Sequence, residues 1–251
     1  MLEETLGQPS SESFASKACH TIIRPLDLAA SSLPSQRLSN CYHIIAISGE
    51  EALLVNSPYT CHPHLLHLES VGKPQRLLAK ALTVMAPVRD DYATAPYIDA
   101  FNWNLVVSAL KSLVGAESYA WKHQSYYIVV FRSQVPLSTN RSHLAALDKR
   151  SHAEAMASGG LLKYWFGTPD VNGRNMATCK PHNQSAYLKR NQLSTLGIWR
   201  DRGDAKRGSI GQGHKEAMRA TINMYSEWKL ERLTLEIGAN VESWTIVDYE
   251  E

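Results

Sequence analysis

The sequence predicts an α+β fold in which helices lie against a mainly antiparallel β-sheet. Alternating or β-branched runs indicate strands, and stretches with apolar residues at helical spacing lie between them. A strand–loop–helix–strand unit occurs twice, in halves at about residues 100–167 and 168–248. Two such ferredoxin-like repeats are expected to form a sheet like that of a dimeric α+β barrel within one chain.

The N-terminal part of the chain starts with a segment rich in serine and glutamate. Residues 1–20 are predicted to be a flexible tail, and residues 21–251 to form a single α+β domain. The run YHIIAI at 42–47 predicts a strand, and SGEE then leads into ALLV at 52–55. These two runs together predict a β-hairpin.

Two helices are predicted ahead of the first repeated strand. The segment PQRLLAKALTVMA at 74–86 starts with proline and carries leucines at helical spacing. A second helix follows Asn102, whose side chain is expected to cap it. Gly115 is expected to end that helix.

The two halves of the repeat contain the clearest elements of the sequence. SYYIVVFRS at 125–133 predicts a strand, LAALDKRSHAEAMA at 144–157 a helix, and LLKYWFG at 161–167 a strand. In the second half, GHKEAMRATINMYSEW at 213–228 predicts a helix. KLERLTLEI at 229–237 follows as a strand with period-two alternation.

The repeat is recognised from a pattern, H-x-E-A-M, that occurs in each of the two predicted helices. His152 and Glu154 in the first helix match His214 and Glu216 in the second. Repetition at equivalent positions favours a structural role for both histidines. His214 is kept as a candidate hydrogen-bond donor as well.

A segment at 180–197 separates the runs ATC and IWR, which together resemble one strand. It contains Pro181, His182 and several basic residues. Two interpretations stay open. The segment is either an excursion that covers a pocket, or a gene-model insertion that the fold tolerates, because loop-closure entropy grows only logarithmically with length.

The composition is typical of a soluble globular protein. The 251 residues include 44% hydrophobic and 20% charged residues, and the formal net charge is +2. This balance argues against a nucleic-acid partner, and no apolar run reaches the roughly 18 residues that a membrane span needs. The cysteines form no C-x-x-C pair and a secretory h-region is missing, so we expect a cytoplasmic protein. A homodimer is also compatible with the sequence.

Familiar motifs for metals, nucleotides and nucleophiles are weak or missing. His62, His64 and His67 lie close together in HPHLLH, but the further ligands of a zinc motif are lacking. GSIGQGHK at 208–215 has histidine where a P-loop needs lysine. The G-x-S-x-G motif of serine hydrolases does not occur. We therefore predict that the protein uses neither a metal nor a cofactor.

The predicted strands carry many aromatic and hydrogen-bonding side chains. This mixture is typical of an apolar pocket with a few polar groups, and an aromatic core explains it as well. The tryptophans are expected to give a pocket its shape, and Arg132 or His214 to donate a hydrogen bond. The candidate catalytic residues are Arg132 and His214, and the candidate substrate-binding residues are Tyr127, Lys163, Trp165, Trp199 and Arg200.

Several runs resemble a family of fungal proteins without an assigned activity. They include FNWNLVVSAL, YYIVVFRSQV, SHAEAMASGGLLKYWFG, NGRNMATC with IWR, and GHKEAMRA, and they span roughly residues 75–237. In that family ATC runs directly into IWR, so residues 180–197 depart from its pattern. The chain is also similar to the norbornene-forming Diels–Alderases of fungal terpenoid gene clusters, such as the cluster for sordarin.

This resemblance implies a cofactor-independent pericyclase that acts on an apolar terpenoid intermediate. Such an enzyme accelerates an intramolecular Diels–Alder reaction by holding a polyene in its reactive shape. A hydrogen bond to an aldehyde on the dienophile would lower the barrier further. Two alternatives stay open: a non-catalytic small-molecule-binding protein, and a cofactor-free oxygenase or hydratase of a related barrel.

Overall fold

A computed structural model describes residues 44–46, 52–136, 138–170, 173–175 and 196–250. The predicted tail at 1–20 lies outside the described residues, as does nearly all of the predicted insertion at 180–197. No helix in the described ranges is long and apolar enough to cross a membrane.

The described part of the chain contains nine strands and six α-helices. The strands are β1 (Ile44–Ala46), β2 (Ala52–Leu54), β3 (Leu66–His67), β4 (Gln124–Gln134), β5 (Leu161–Trp165), β6 (Arg174–Asn175), β7 (Leu196–Trp199), β8 (Glu227–Ile237) and β9 (Trp244–Asp248). The helices are α1 (Lys73–Ala81), α2 (Tyr97–Ala100), α3 (Trp103–Ala116), α4 (Arg141–Ser158), α5 (Arg202–Gly208) and α6 (Gln212–Met224).

The main sheet is antiparallel and has β4 at its centre. Its strand order is β5-β7-β4-β8-β9, and β6 pairs with the end of β4. The longest ladder joins β4 to β8, from Gln124 opposite Ile237 to Gln134 opposite Glu227. β8 alternates buried and more exposed residues over its last six positions, whereas β4 has three consecutive buried residues at 126–128, as expected where both faces of a central strand are covered.

The two strand–helix–strand halves are interleaved in this sheet. The first half supplies β4 and β5, the second supplies β7 and β8, and β7 lies between the two strands of the first half. The resulting βαββαβ order is that of one ferredoxin-like unit. The expected pair of ferredoxin-like repeats is therefore not seen among the described residues, since each half provides only half of one unit.

The expected barrel is wrong, because the sheet is open. Helices α1 and α3 cover one face, where Leu78 and Leu110 share a core with Ile128 and Leu235. Helix α4 covers the other face, where Ala155 packs with Tyr127 and other aromatic residues. A barrel encloses one face of its sheet, and here helices cover both faces.

The N-terminal hairpin is confirmed, with Ile44 opposite Leu54 in an antiparallel pair. The predicted helix at 74–86 is shorter, because α1 gives way to a 3-10 turn at Leu82–Val84. Asn102 does not cap α3 as expected. Its side chain accepts a hydrogen bond from the backbone N–H of Ala86 and donates one to the carbonyl of Val84, so it braces the preceding loop.

The predicted helix at 213–228 ends at Met224, and its last residues instead begin β8. Trp228 lies opposite Ser133 in the ladder, and its ring stacks on that of Phe131 at a centroid distance of 6.0 Å. Strand pairing and ring stacking together outweigh the helical propensity of this segment. The short helix α5 was not predicted; Asp201 caps it by accepting from the N–H of Asp204 at 2.8 Å.

We expect Ile128→Ala to destabilise the protein by about 2–5 kcal/mol. Ile128 is fully buried at the centre of β4, between Ile198 on β7 and Leu233 on β8, so the change leaves a cavity in the core. Val129→Ala, at the neighbouring half-buried position, is the control and should cost clearly less. Chemical denaturation measures both, and equal losses would contradict the layered packing.

Candidate functional site

Five polar or aromatic side chains meet between α4, β5 and the segment before β3. We call Tyr59, His64, Asp148, His152 and Tyr164 the buried cluster. Asp148 and His152 come from α4, where their spacing of four residues puts them on one helix face. Tyr164 comes from β5, and the other two come from the chain between β2 and β3.

Helix α4 starts at a point that the sequence defines locally. Asn140 precedes the helix, and its side chain accepts a hydrogen bond from the N–H of His143 at 3.0 Å. The inward face of α4 then carries Leu144, Asp148 and His152 in successive turns, all nearly inaccessible to solvent. An acid and a histidine thus occupy positions that would ordinarily hold apolar residues.

Asp148 is the anionic centre of the buried cluster. This residue is only 2% exposed. Oδ2 accepts a hydrogen bond from the hydroxyl of Tyr59 at 2.5 Å, and Oδ1 accepts one from the hydroxyl of Tyr164. Burial raises the pKa of Asp148 to about 6, and the two tyrosine hydrogen bonds oppose that rise.

The two histidines form a direct pair. Nδ1 of His64 lies 2.8 Å from Nδ1 of His152, so one ring donates a proton and the other accepts it. Burial lowers the pKa of His64 to about 4 and that of His152 to about 3. Both imidazoles are therefore neutral near pH 7, and the pair contains one of each tautomer.

The aromatic rings of the buried cluster pack against one another. The rings of His152 and Tyr164 are 4.3 Å apart between centroids, and those of Tyr59 and His64 are 4.5 Å apart. Phe166 adds an apolar edge beside Tyr59 and Tyr164. Burial raises the pKa of both tyrosines, with Asp148 acting in the same direction, so both hydroxyls remain protonated donors.

Two buried polar atoms beside these rings have no hydrogen-bond partner among the described residues. They are Nε2 of His152 and Oδ1 of Asn56. Asn56 uses its Nδ2 to donate to the carbonyl of Leu161 at 3.0 Å. Buried polar atoms are nearly always paired, so Nε2 of His152 and Oδ1 of Asn56 are free to contact a polar group, as are other buried atoms such as Nε1 of Trp103 and the hydroxyl of Tyr126.

The cluster lies just beneath the protein surface. Tyr59 is half-buried and is followed directly by exposed residues at 60–63. His64, the next residue, is buried. A short exposed segment therefore joins Tyr59 to His64.

The residues predicted to line a pocket do not all lie together. Tyr127 and Trp199 lie on the α4 face of the sheet, in the same apolar group as Tyr164. Trp165 lies on the opposite face, where its ring meets that of Phe101 edge-on at 4.5 Å. Lys163 shares that second face, because it pairs with Ile198 in the ladder.

Arg132 anchors a loop. It donates to the carbonyls of Tyr92, Ala93 and Ala95 and forms an ion pair with Glu231 at 2.9 Å. These contacts explain why an arginine is tolerated in a largely buried position on β4. These contacts do not test the catalytic role predicted for Arg132, which stays a prediction.

Arg200 and His214 lie away from the buried cluster's hydrogen bonds. Arg200 follows β7 and pairs with Asp204, with Nε 2.6 Å from Oδ2. The backbone N–H groups of Gly213 and His214 donate to Glu154, which ties α6 to α4. Burial lowers the pKa of the half-buried His214.

The sequence interpretation missed Tyr59 and Asp148 and gave no catalytic weight to His64 or His152. One local signal was present: Leu144, Asp148 and His152 recur every four residues in the apolar stripe of a predicted helix. His64 was seen as part of a weak metal motif. No group of three or more His, Cys, Asp or Glu residues in the described ranges could hold a metal ion.

The buried cluster predicts opposite effects of two substitutions on acid stability. Between pH 6.5 and about 4, the neutral imidazoles destabilise the fold, because they stay uncharged in the native state while the unfolded chain binds protons. Asp148 acts the other way: its native pKa of about 6 exceeds the ordinary aspartate value of 3.8, so the native state binds a proton first and gains stability as the pH falls.

His152→Gln should therefore flatten the loss of stability in acid, and Asp148→Asn should steepen it. Each effect should be on the order of 2 kcal/mol, from 1.36 kcal/mol per unit of pKa. Urea denaturation at about pH 7, 5.5 and 4 gives the two differences from wild type. Parallel pH profiles for all three proteins would show that these groups are not buried as described.

Arg132→Gln should loosen the loop at 92–95 without changing the rest of the sheet. The substitution removes three hydrogen bonds to carbonyls and leaves Glu231 without its arginine. Hydrogen exchange should rise at 92–95, and stability should fall by about 2–4 kcal/mol. Arg89→Gln is the control, because Arg89 forms an exposed pair with Asp91. Unchanged exchange at 92–95 would contradict the anchoring role.

Comparison with known proteins places these residues in a family. The model of the PB2B2.08-like family matches residues 55–191 and 184–248, and all five residues of the buried cluster lie in the first range. The chain is also 33% identical, over 207 residues, to the UPF0643 protein PB2B2.08 of Schizosaccharomyces pombe, covering 77% of this chain and 83% of that relative. No solved structure matches significantly. The chain therefore belongs to the PB2B2.08-like family.

Proposed function

We propose that this protein is a cofactor-independent pericyclase that works at the buried cluster. Its substrate would be an apolar polyene with a carbonyl group, such as a terpenoid intermediate, cyclised by an intramolecular Diels–Alder reaction in the fungal cytoplasm. This reaction class is the one that the sequence resemblance implies, and membership of the PB2B2.08-like family neither supports nor opposes it. The observation that carries the proposal is the buried Nε2 of His152, which has no hydrogen-bond partner in the described part of the chain.

His152 is suited to donate a hydrogen bond to a carbonyl oxygen. When Nδ1–H of His64 donates to Nδ1 of His152, the proton of His152 is on Nε2. The low pKa of His152 keeps the ring neutral, so the donor does not require a buried positive charge. A fixed donor in a water-poor site stabilises the charge that develops on a dienophile carbonyl.

The surrounding rings are suited to hold the hydrocarbon part of such a substrate. Tyr59 and Tyr164 pack on the ring of His152, Phe166 packs on both tyrosines, and these rings offer rigid, mainly apolar surfaces. Asp148 fixes the orientation of both tyrosines through their hydroxyls. A cycloaddition without a covalent intermediate depends mainly on this kind of positioning.

A second candidate function is proton transfer at carbon next to a carbonyl, as in an isomerase or hydratase. The Nδ1–Nδ1 contact between His64 and His152 favours it. As Nε2 of His152 gives up its proton, Nδ1 takes one from His64, and Nε2 of His64 takes a proton from water, so each ring keeps one proton and stays neutral. Solvent deuterium would then enter the substrate, whereas a cycloaddition incorporates none.

The test uses a linear aldehyde that carries a diene and a tethered alkene. Wild-type protein should form the cyclised product faster than the spontaneous reaction, and His152→Gln should reduce the catalysed rate by about 100-fold, the usual cost of losing one such donor. His143→Gln is the matched control, because His143 is an exposed histidine on the same helix.

Substrate binding is measured in parallel by quenching of tryptophan fluorescence. Binding without acceleration would reject the pericyclase and favour a binding protein. Acceleration that His152→Gln leaves unchanged would reject the role of His152. Deuterium in the product would favour the proton-transfer function.

A further inference from the structure

Lys163 is a buried lysine on the face of the sheet away from the buried cluster. It lies on β5 and is 9% exposed. Its partner in the ladder is Ile198, and Trp165 lies two residues further along the strand. Ile198 and Trp165 both belong to the main apolar core, so the lysine side chain faces an apolar environment.

No acidic group or carbonyl in the described part of the chain pairs with this lysine. Burial is the sole cause that lowers its pKa, to about 8. Other lysines of the protein have partners: Lys73 and Lys80 pair with Glu117, and Lys229 pairs with Glu231. A buried ammonium without a partner destabilises a fold, so its presence calls for a ligand or a reaction.

The strand that carries Lys163 is irregular at this point. The register of β5 against β7 shifts between Leu161 and Lys163. Such bulges change the direction of a side chain and are frequent beside active sites. Strand β5 is also the outermost strand on its side of the sheet. The chain at Asn56 lies beside it, and the backbone carbonyl of Asn56 accepts a hydrogen bond from the N–H of Tyr164 at 3.0 Å. Lys163 therefore lies on an outer strand of the sheet and not at its centre.

We propose that Lys163 is a covalent site for the carbonyl group of an apolar aldehyde or ketone. The neutral Nζ adds to the carbonyl carbon, and the carbonyl oxygen leaves as water with the two protons of the amine. A C=N bond replaces the C=O bond, and hydrolysis reverses the step. Lysines that are desolvated in apolar surroundings are suited to this chemistry because a larger fraction is neutral near pH 7.

The imine site at Lys163 is independent of the proposed cyclisation. Tyr164, the next residue of β5, belongs to the buried cluster and packs on the opposite face from Lys163. A substitution of His152 would leave the environment of Lys163 intact. The imine site and the cyclase site can therefore fail separately.

Reductive trapping tests the site directly. Folded wild-type protein is treated with hexanal and sodium cyanoborohydride, and peptide mass mapping gives the rate of alkylation at each lysine. About a tenth of an amine with a pKa of 8 is neutral at pH 7, against less than a thousandth of an ordinary lysine. We expect Lys163 to react at least about 10-fold faster than Lys229, an exposed lysine, with a rate that levels off above about pH 8.

Two variants complete the test. Lys163→Met should remove the fast modification and raise the Tm by about 2–4 °C, because an apolar side chain replaces an unpaired buried amine. Lys229→Met should leave the modification of Lys163 unchanged. The proposal is overturned if Lys163 reacts no faster than Lys229, or if it reacts only after the protein is unfolded.

Discussion

The candidate site depends on one physical constraint, the burial of the Asp148 carboxyl group on the inward face of α4. A carboxylate at this depth is costly unless both oxygens are hydrogen-bonded, and the hydroxyls of Tyr59 and Tyr164 provide those bonds. The two tyrosines come from parts of the chain separated by about a hundred residues, so one acid ties the segment before β3 to α4 and β5. His152 lies one turn further along α4, and its Nδ1 contacts Nδ1 of His64.

The same burial decides the chemistry that is available. Because water is excluded, the imidazoles of His64 and His152 are neutral, and Asp148 titrates much closer to neutral pH than an ordinary aspartate. A neutral pair can present either a proton or a lone pair at Nε2 of His152 without creating charge. This is the property needed to polarise a carbonyl group or to pass a proton, and it makes the site suited to small apolar substrates. The opposite face of the sheet offers different chemistry through the amine of Lys163.

The sequence predicts the secondary structure better than the site. Strand β4 was evident from its β-branched and aromatic run, and β8 from period-two alternation. The order strand, helix, strand occurs twice among the described elements, but the H-x-E-A-M pattern lies near the end of α4 and near the start of α6. The interleaving of the two halves was not evident from the sequence. It depends on the packing of α1 and α3 on one face of the sheet, and no local pattern encodes that long-range packing. Asp148 was overlooked because a lone acid in a helix is ordinarily a solvated residue. Tyr59 and His64 were out of reach, since their partners lie 89 and 88 residues away in the chain.

The central claim is that two neutral histidines in complementary tautomers share a proton inside this fold. Two-dimensional NMR of protein labelled with nitrogen-15 in histidine measures this directly, since each ring nitrogen reports whether it carries a proton. At pH 7 we expect two non-titrating rings, one protonated at Nδ1 and the other at Nε2, and both unchanged down to about pH 5. A titration of either His64 or His152 near pH 6.5, or the same tautomer in both rings, would contradict the account.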